Sequence, residues 1–580
     1  MAKQRTARKF HHRWSYRTRL LASIPVFLVL IGILTFASHL SAVPWSDQPM
    51  NRTIQTMTSN TAVDMVPTAS SLQCDQNKSP ADQNGLCAVS LSQGVYKVAT
   101  RMLSFEATEP GTHNTQLIHL LLHYPVNDHG SMPGIIFISG AGTGSAADAY
   151  QDQADYFASA GFMAATVDKP VWNTNAVNRN YPAMAKVYDH AIQLMSEQPG
   201  VDANKIGIHV DSESGWIDPY MQDFDHKIAF QILASPMLFE PREAVAFFVA
   251  QDFSIVGANP GYQAMVRKVF SADFDMFGLR DANINPFNNR TFSIPTFLAY
   301  GSRDVLTSQV DGMMKVMEMA QKSGNENFVL RDYPFADHIL RLGNAAAGDT
   351  LLADHYLQEA LEWSAGIVKG YKQTAPKVAG HDIYQSIGLP KIHAIKGGTL
   401  YFVILHCLLL LMILMSLVFS VIVLVKKIVA LVKHRATPVA FANGFGKAML
   451  FMILVTVFAF LLFIAAVAQI IWRVSCLGWG AAPIQPAGMI YWSWYAVEIA
   501  CAIVVWTWAR VLVNFVEAGA DRGWFHWFKR LAREPIEPVA EGRHEPFFAT
   551  TKLGLVYFIV LTATMLLILL FFAFWGLFQY

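Results

Sequence analysis

Lys205-Ile-Gly-Ile-His-Val-Asp-Ser212-Glu-Ser-Gly-Trp-Ile-Asp-Pro219 is the stretch that decides how this chain is read. An apolar β-type run enters a tight polar turn carrying a serine, and the residues from Glu213 onward read as a helix. A serine on such a strained strand-to-helix turn has its hydroxyl lifted clear of the sheet edge. The partial positive charge of a helix N-terminus beside it favours an oxyanion. A lone serine in a turn carries no such meaning, so its partners matter. After the β-type run 294–300 comes Gly301-Ser-Arg-Asp304-Val-Leu, and after the run 327–333 comes Tyr333-Pro-Phe-Ala-Asp-His338. Serine, carboxylate and histidine therefore each follow a strand end, in the chain order of one known arrangement for activating a serine. Ser214 as nucleophile would put Trp216 at the crowded position two residues on, so Ser212 is the candidate.

Working outward, β-type runs at 95–106 and 116–124 flank a turn around Pro110 and Gly111 and read as an antiparallel pair at a sheet edge. Strands at 133–139, 162–167, 205–210, 229–234, 295–300 and 327–333 then alternate with helical stretches at 146–160, 182–198 and about 350–369. Such alternation predicts an α/β domain, a mostly parallel sheet with helices on both faces, over 95–375. Residues 237–291 interrupt it with many aromatics. An insertion at the carboxyl edge of such a sheet lies where ligands bind, so it reads as a cap or lid; a structural excursion with its own core is the alternative.

These features resemble the α/β-hydrolase superfamily, especially its dienelactone-hydrolase and acyl-thioesterase-like branches, which commonly read G-x-S-x-G-G-W at the serine turn. Val210 and Ser214 stand where that family prefers glycine. The resemblance covers about 95–370 and implies a triad in which Ser212 attacks, His338 carries the proton and Asp304 orients the imidazole. It also implies an oxyanion hole from the main-chain N–H groups of Glu213 and Ala141. Ala141 lies in Ser139-Gly-Ala-Gly-Thr-Gly144, where the family often has His-Gly-x-Gly. That loop lacks the G-x-G-x-x-G spacing of a dinucleotide site. His119 and His123 share a strand face without further ligands, so no metal and no cofactor is expected.

The rest of the chain is a membrane sequence. Of 580 residues 53% are hydrophobic and only 15% charged, with a net charge of +1 that gives no reason to expect nucleic acid. Five runs, 20–40, 399–425, 447–471, 489–513 and 553–577, are long enough to cross a hydrocarbon core. The first follows a basic tail, 1–19, with Arg5, Arg8, Lys9, Arg13, Arg17 and Arg19 and no acidic residue. Segments 426–446 and 514–552 are likewise basic, with Lys426, Lys427, Lys433 and Arg435 in one and Arg522, Lys529, Arg530 and Arg533 in the other, whereas 472–488 holds only Arg473. The positive-inside rule then places 41–398 outside the cytoplasm. The run 20–40 reads as an uncleaved signal anchor, with a cleaved signal peptide as the alternative. Residues 41–94 read as an exported spacer, 376–398 as a linker, and 399–580 as an all-α bundle of four membrane helices.

Cys74 and Cys87 lie in the exported part and could close a small disulfide loop. His406 and Glu498 lie roughly 10 and 13 Å deep at about 1.5 Å per residue. Ionisable groups at that depth usually pair or face a polar interior, so the two are expected to form an intramembrane pair, with a substrate or acceptor path as the alternative. The expected function is a multi-pass membrane serine hydrolase, in the inner (cytoplasmic) membrane of a bacterium, cleaving a small acyl ester or thioester outside the cytoplasm. Alternatives are an acyltransferase with a membrane-delivered acceptor, an inactive hydrolase-fold binding module, and a peptidase. Protein partners are not legible.

Overall fold

The computed structural model describes residues 14–43, 53–54, 65–79, 82–126, 130–142, 144–172, 178–224, 228–343, 350–373, 377–380, 383–385, 387–442, 444–477, 487–520 and 546–579. The basic residues of 1–13 and of 521–545 therefore lie outside the described residues. The chain begins with α1 (Tyr16–Leu40), followed by the short strands β1 (Thr53–Ile54) and β2 (Met65–Pro67). Then come β3 (Val98–Thr108), β4 (Thr115–Pro125), β5 (Met132–Ile138), α2 (Gln151–Ser159), β6 (Met163–Val167), α3 (Tyr181–Ser196) and β7 (Val201–Asp211). After β7 stand α4 (Asp218–Met221), β8 (Gln231–Ala234), α5 (Pro241–Ile255), α6 (Pro260–Phe270), β9 (Thr296–Gly301), α7 (Gln309–Lys322), β10 (Phe328–Tyr333) and α8 (Tyr356–Val368). β11 (Tyr371–Gln373), β12 (Lys377–Gly380) and β13 (Ile383–Tyr384) precede the helices α9 (Lys396–Val432), α10 (Phe445–Ser475), α11 (Met489–Ala520) and α12 (Lys552–Phe574).

Among the described residues the main sheet has nine strands in the order β12-β10-β9-β8-β7-β5-β6-β4-β3. β4 runs antiparallel to both β3 and β6, and every other pairing is parallel. The exchange of β5 and β6, with the antiparallel second strand beside them, is the α/β-hydrolase arrangement. β5, β9 and β10 are buried along their whole length, as strands covered on both faces must be. On one face Phe157 and Trp363, from α2 and α8, pack on Phe137, Ile232 and Phe297. On the other Tyr188 and Met313, from α3 and α7, pack on Ile136, Ile208 and Leu298.

Two sequence expectations need correction. In its described residues the stretch 41–94 is no extended spacer: β2 pairs with β11, β1 pairs with β13, and Leu86, Val89 and Leu91 are buried. Its few apolar residues suffice to hold it on the domain, and Cys74 and Cys87 are disulfide-bonded within it. Nor is 376–398 a simple linker, because β12 joins the main sheet beside β10.

Among the described residues five helices, α1 and α9 to α12, are long and apolar enough to cross a membrane. α11 and α12 form the middle of the bundle, with half of their most apolar stretch buried against 11% for α1. At one end Arg19 of α1 makes two hydrogen bonds, 2.8 and 2.9 Å, to the carboxylate of Glu517. At the other, the Ser38 hydroxyl donates to the Ala573 carbonyl. The α/β domain hangs from this second end, where α1 finishes and α9 begins. Its insertion is seated there: the Tyr262 ring packs on Trp494 at 4.8 Å and its hydroxyl meets Ser493 Oγ at 2.8 Å. Lys268 donates to Ser41 Oγ and to the Phe574 carbonyl. Gly261 is required by the close approach, since a Cβ there would stand 2.0 Å from the Trp494 ring.

Candidate active site

β7 ends at Asp211, and the next residue, Ser212, has φ +52°. A serine in the left-handed region is uncommon and is held there only by its surroundings. The contacts that hold it are local. Ser214 Oγ donates to the Ser139 carbonyl at the end of β5, and Met237 N donates to the Ser212 carbonyl. Gly215 allows the turn to lie against β8's outgoing chain, where a Cβ would meet the Met237 carbonyl oxygen at 2.6 Å. Val210, the departure from the family pattern, is fully buried between β5 and β8 and leaves the turn intact. The expected helix from Glu213 is instead a 3₁₀ turn, Ser212–Trp216, followed by the four-residue α4. Pro219, which lacks an N–H, stands in its first turn.

His338 meets Ser212 from a loop after β10. Its Nε2 lies 2.7 Å from Ser212 Oγ and its Nδ1 lies 3.0 Å from Asp304 Oδ1. The three residues are buried. Asp337 shapes the histidine loop by accepting the Ile339 and Arg341 N–H groups. Gly301 lets that loop close down, because a Cβ there would meet the Asp337 carbonyl oxygen at 2.3 Å. Asp304 is fixed by N–H donors of Leu306 and Thr307 and by the Thr307 hydroxyl. Burial opposes charge on the His338 imidazole, but Asp304, with Asp211 and Asp337, outweighs it and raises the pKa above the usual histidine value. Burial raises Asp211 to about 6, against the opposing pull of His338 and the Tyr150 hydroxyl bond.

Gly140, in the loop that follows β5, lies against the serine. A Cβ at Gly140 would stand 2.8 Å from Ser212 Cβ, so only glycine permits this approach. Ala141 follows it and is exposed, while Thr143 lies outside the described residues. The Glu213 N–H belongs to the first turn of the 3₁₀ helix, whose donors have no partner inside the helix.

Sequence reasoning did not find the ion cluster behind this loop. The Glu213 side chain is buried, with Lys169 Nζ 2.5 Å from Oε2, Tyr181 hydroxyl 3.0 Å and Arg179 Nε 3.2 Å from Oε1. Lys169 Nζ also donates to the Gly140 carbonyl. Burial lowers the Lys169 pKa, partly offset by Glu213. The available signal was position: Asp168 and Lys169 directly follow β6 at the carboxyl edge, where α/β sheets place site residues.

Other candidates go elsewhere. His119 bonds Asp168 at 2.6 Å and His123 bonds Asp155 at 2.7 Å. The expected His406–Glu498 pair does not form among the described contacts. His406 Nδ1 donates to the Phe402 carbonyl and its Nε2 accepts from Trp575, whereas Glu498 accepts from Trp494 four residues before it. His406 is satisfied by its own helix and by the end of α12, and Glu498 by its own helix, so neither needs the other.

No protein-family model and no curated protein matches the chain. Solved structures similar to it include a thermostable carboxyl esterase from Bacillus coagulans, 13% identical, with a TM-score of 0.32 over 47% of this chain and 99% of that one. A bacterial heroin esterase is 18% identical, with a TM-score of 0.31 over 47% of this chain and 84% of that one. An acylaminoacyl peptidase from Pyrococcus horikoshii is 13% identical, with a TM-score of 0.30 over 46% of this chain and only 40% of that one.

Proposed function

We propose that this protein is a membrane-bound serine hydrolase that cleaves an ester or thioester through an acyl-enzyme, with its site facing the outside of the cytoplasm. The observation that carries the reading is the continuous chain Ser212 Oγ, His338 Nε2, His338 Nδ1, Asp304 Oδ1, with links of 2.7 and 3.0 Å. In that arrangement neutral His338 takes the proton as Ser212 attacks the acyl carbon, and Asp304 stabilises the imidazolium that results. His338 then protonates the leaving group, and water repeats the sequence to release the acid. The N–H groups of Ala141 and Glu213 hold the oxyanion. The position of 41–398 outside a bacterial inner membrane rests on the basic residues that flank the apolar helices.

A second reading, acyl transfer to a bilayer-borne alcohol or amine, is favoured by one observation: the insertion beside the site is bonded to the outer end of the bundle through Tyr262 and Lys268. Purified full-length protein should turn over 4-nitrophenyl esters or acyl thioesters in a panel of chain lengths, and Ser212→Ala should not. Appearance of acylated alcohol or amine at the expense of free acid would select transfer. If no member of the panel is cleaved by folded wild-type protein, the enzyme reading fails.

A further inference from the structure

Behind the serine, one ammonium touches both halves of the proposed oxyanion site. Lys169 has a fully buried side chain, and its Nζ donates to the Gly140 carbonyl and pairs with the Glu213 carboxylate. The Gly140 carbonyl and the Ala141 N–H belong to the same peptide unit. No cis peptide is present among the described residues, and in a trans unit the C=O and N–H point in opposite directions. A cation that draws the carbonyl backward therefore turns the N–H forward. The Gly140 Cα itself lies against the serine, since a Cβ there would stand 2.8 Å from the serine Cβ and 3.0 Å from the Asp211 carbonyl oxygen.

The loop needs such a restraint. Gly140, Gly142 and Gly144 leave its backbone few steric limits, and Gly142 adopts φ +99°. A flipped Gly140–Ala141 peptide would present a carbonyl oxygen to the developing oxyanion and repel it. Lys169 also brackets the loop through its own main chain, whose N–H donates to the Gly144 carbonyl at 2.9 Å. Glu213 is held from the other side by Tyr181 and Arg179, so the ammonium sits against a fixed counter-charge.

We propose that Lys169 is the positioning residue of the oxyanion site: it fixes the Gly140–Ala141 peptide with its N–H aimed at the substrate and ties that peptide to Glu213, the residue bearing the second donor. The inference rests on the serine-hydrolase reading. The step it serves is the attack itself. A bond forms from Ser212 Oγ to the acyl carbon, the serine proton passes to His338 Nε2, and the carbonyl π pair becomes a lone pair on oxygen. N–H donors stabilise that oxygen anion far better than the corresponding sulfur anion of a thionoester, so the rate ratio between an ester and its thiono analogue reports the oxyanion site alone.

The test compares 4-nitrophenyl butyrate with its C=S analogue on full-length protein. Wild type should strongly prefer the oxygen ester. Lys169→Met should lower kcat on the ester by roughly a hundredfold to a thousandfold, the cost of losing one oxyanion donor, with KM little changed and the oxygen-to-sulfur ratio narrowed. The ratio is taken within one preparation and does not depend on how much protein is folded. Because Lys169→Met leaves Glu213 without that ion pair, the double variant Lys169→Met/Glu213→Gln, which removes both charges, should show the same narrowing. An unchanged ratio in both variants would overturn the proposal and leave the hydrolase reading standing. Wild-type protein inert toward both substrates would overturn that reading, and the proposal with it.

Discussion

At the carboxyl edge of the sheet three side chains from three separate loops meet within hydrogen-bonding distance, whereas in the bundle two ionisable residues expected to meet have other partners. The difference lies in what each scaffold determines. A strand end in a parallel sheet fixes both the height and the direction of the residue that follows it, since neighbouring strands end together and their loops emerge on one edge. Ser212 after β7, Asp304 after β9 and the His338 loop after β10 are therefore brought to one place by register. A helix in a bundle fixes a residue's height along its axis alone. Its azimuth comes from packing, and packing turned His406 toward Trp575 and Glu498 toward Trp494.

The largest test of the first half is His338→Ala. Removing the base should cost on the order of a millionfold in kcat, measured on whichever ester the wild type prefers. Asp304→Asn should cost roughly a thousandfold or more, because the imidazole loses its orientation and the partner that stabilises its cation. It should also move the pH profile. His338 must be neutral to accept the serine proton, and its pKa is raised above the ordinary value of about 6.5. Activity should therefore rise with pH through a limb lying above that value, and Asp304→Asn should shift the limb downward. A limb that stays put in the variant would break the link between Asp304 and His338.

The sheet, its antiparallel edge, the three residues that meet there and the disulfide cysteines were legible because each is a local pattern: an apolar run, a turn, a polar residue at its end. What was not legible depends on side chains meeting from distant segments. Glu213 reads as a flank of the turn, yet its carboxylate lies in an ion cluster with residues from the chain after β6 and before α3. Residues 41–94 read as a spacer because their polar composition hides apolar residues such as Val89 and Leu91, which join the core cluster built with Phe157 and Trp363. The seating of the insertion on the bundle was hidden for the same reason. Gly261 and Tyr262 carry no membrane signal, and only the fold puts Trp494 against them.

That seating supplies a test of intermediate size. Gly261→Leu would drive a side chain into the Trp494 ring and should destabilise the protein by about 1–3 kcal/mol, read as a lower thermal midpoint in detergent. An unaltered midpoint would mean that the insertion is not held against α11. The smallest effect is expected in the bundle. His406→Ala and Glu498→Gln touch different partners, so their effects on stability should add to within about 0.5 kcal/mol in a double-mutant cycle. A larger coupling would restore the intramembrane pair and weaken the contrast between the two regions.

The central claim is that the sheet edge activates one serine and no other. A fluorophosphonate reacts with a hydroxyl that a neighbouring base has activated, not with serines in general. Folded full-length protein exposed to it should gain a single phosphonyl group, mapped by peptide mass spectrometry to Ser212. Ser214→Ala, which keeps the nucleophile, should still be labelled at Ser212, and Ser212→Ala not at all. Folded wild-type protein that takes up no probe, or Ser212→Ala protein that is still labelled, would contradict the account.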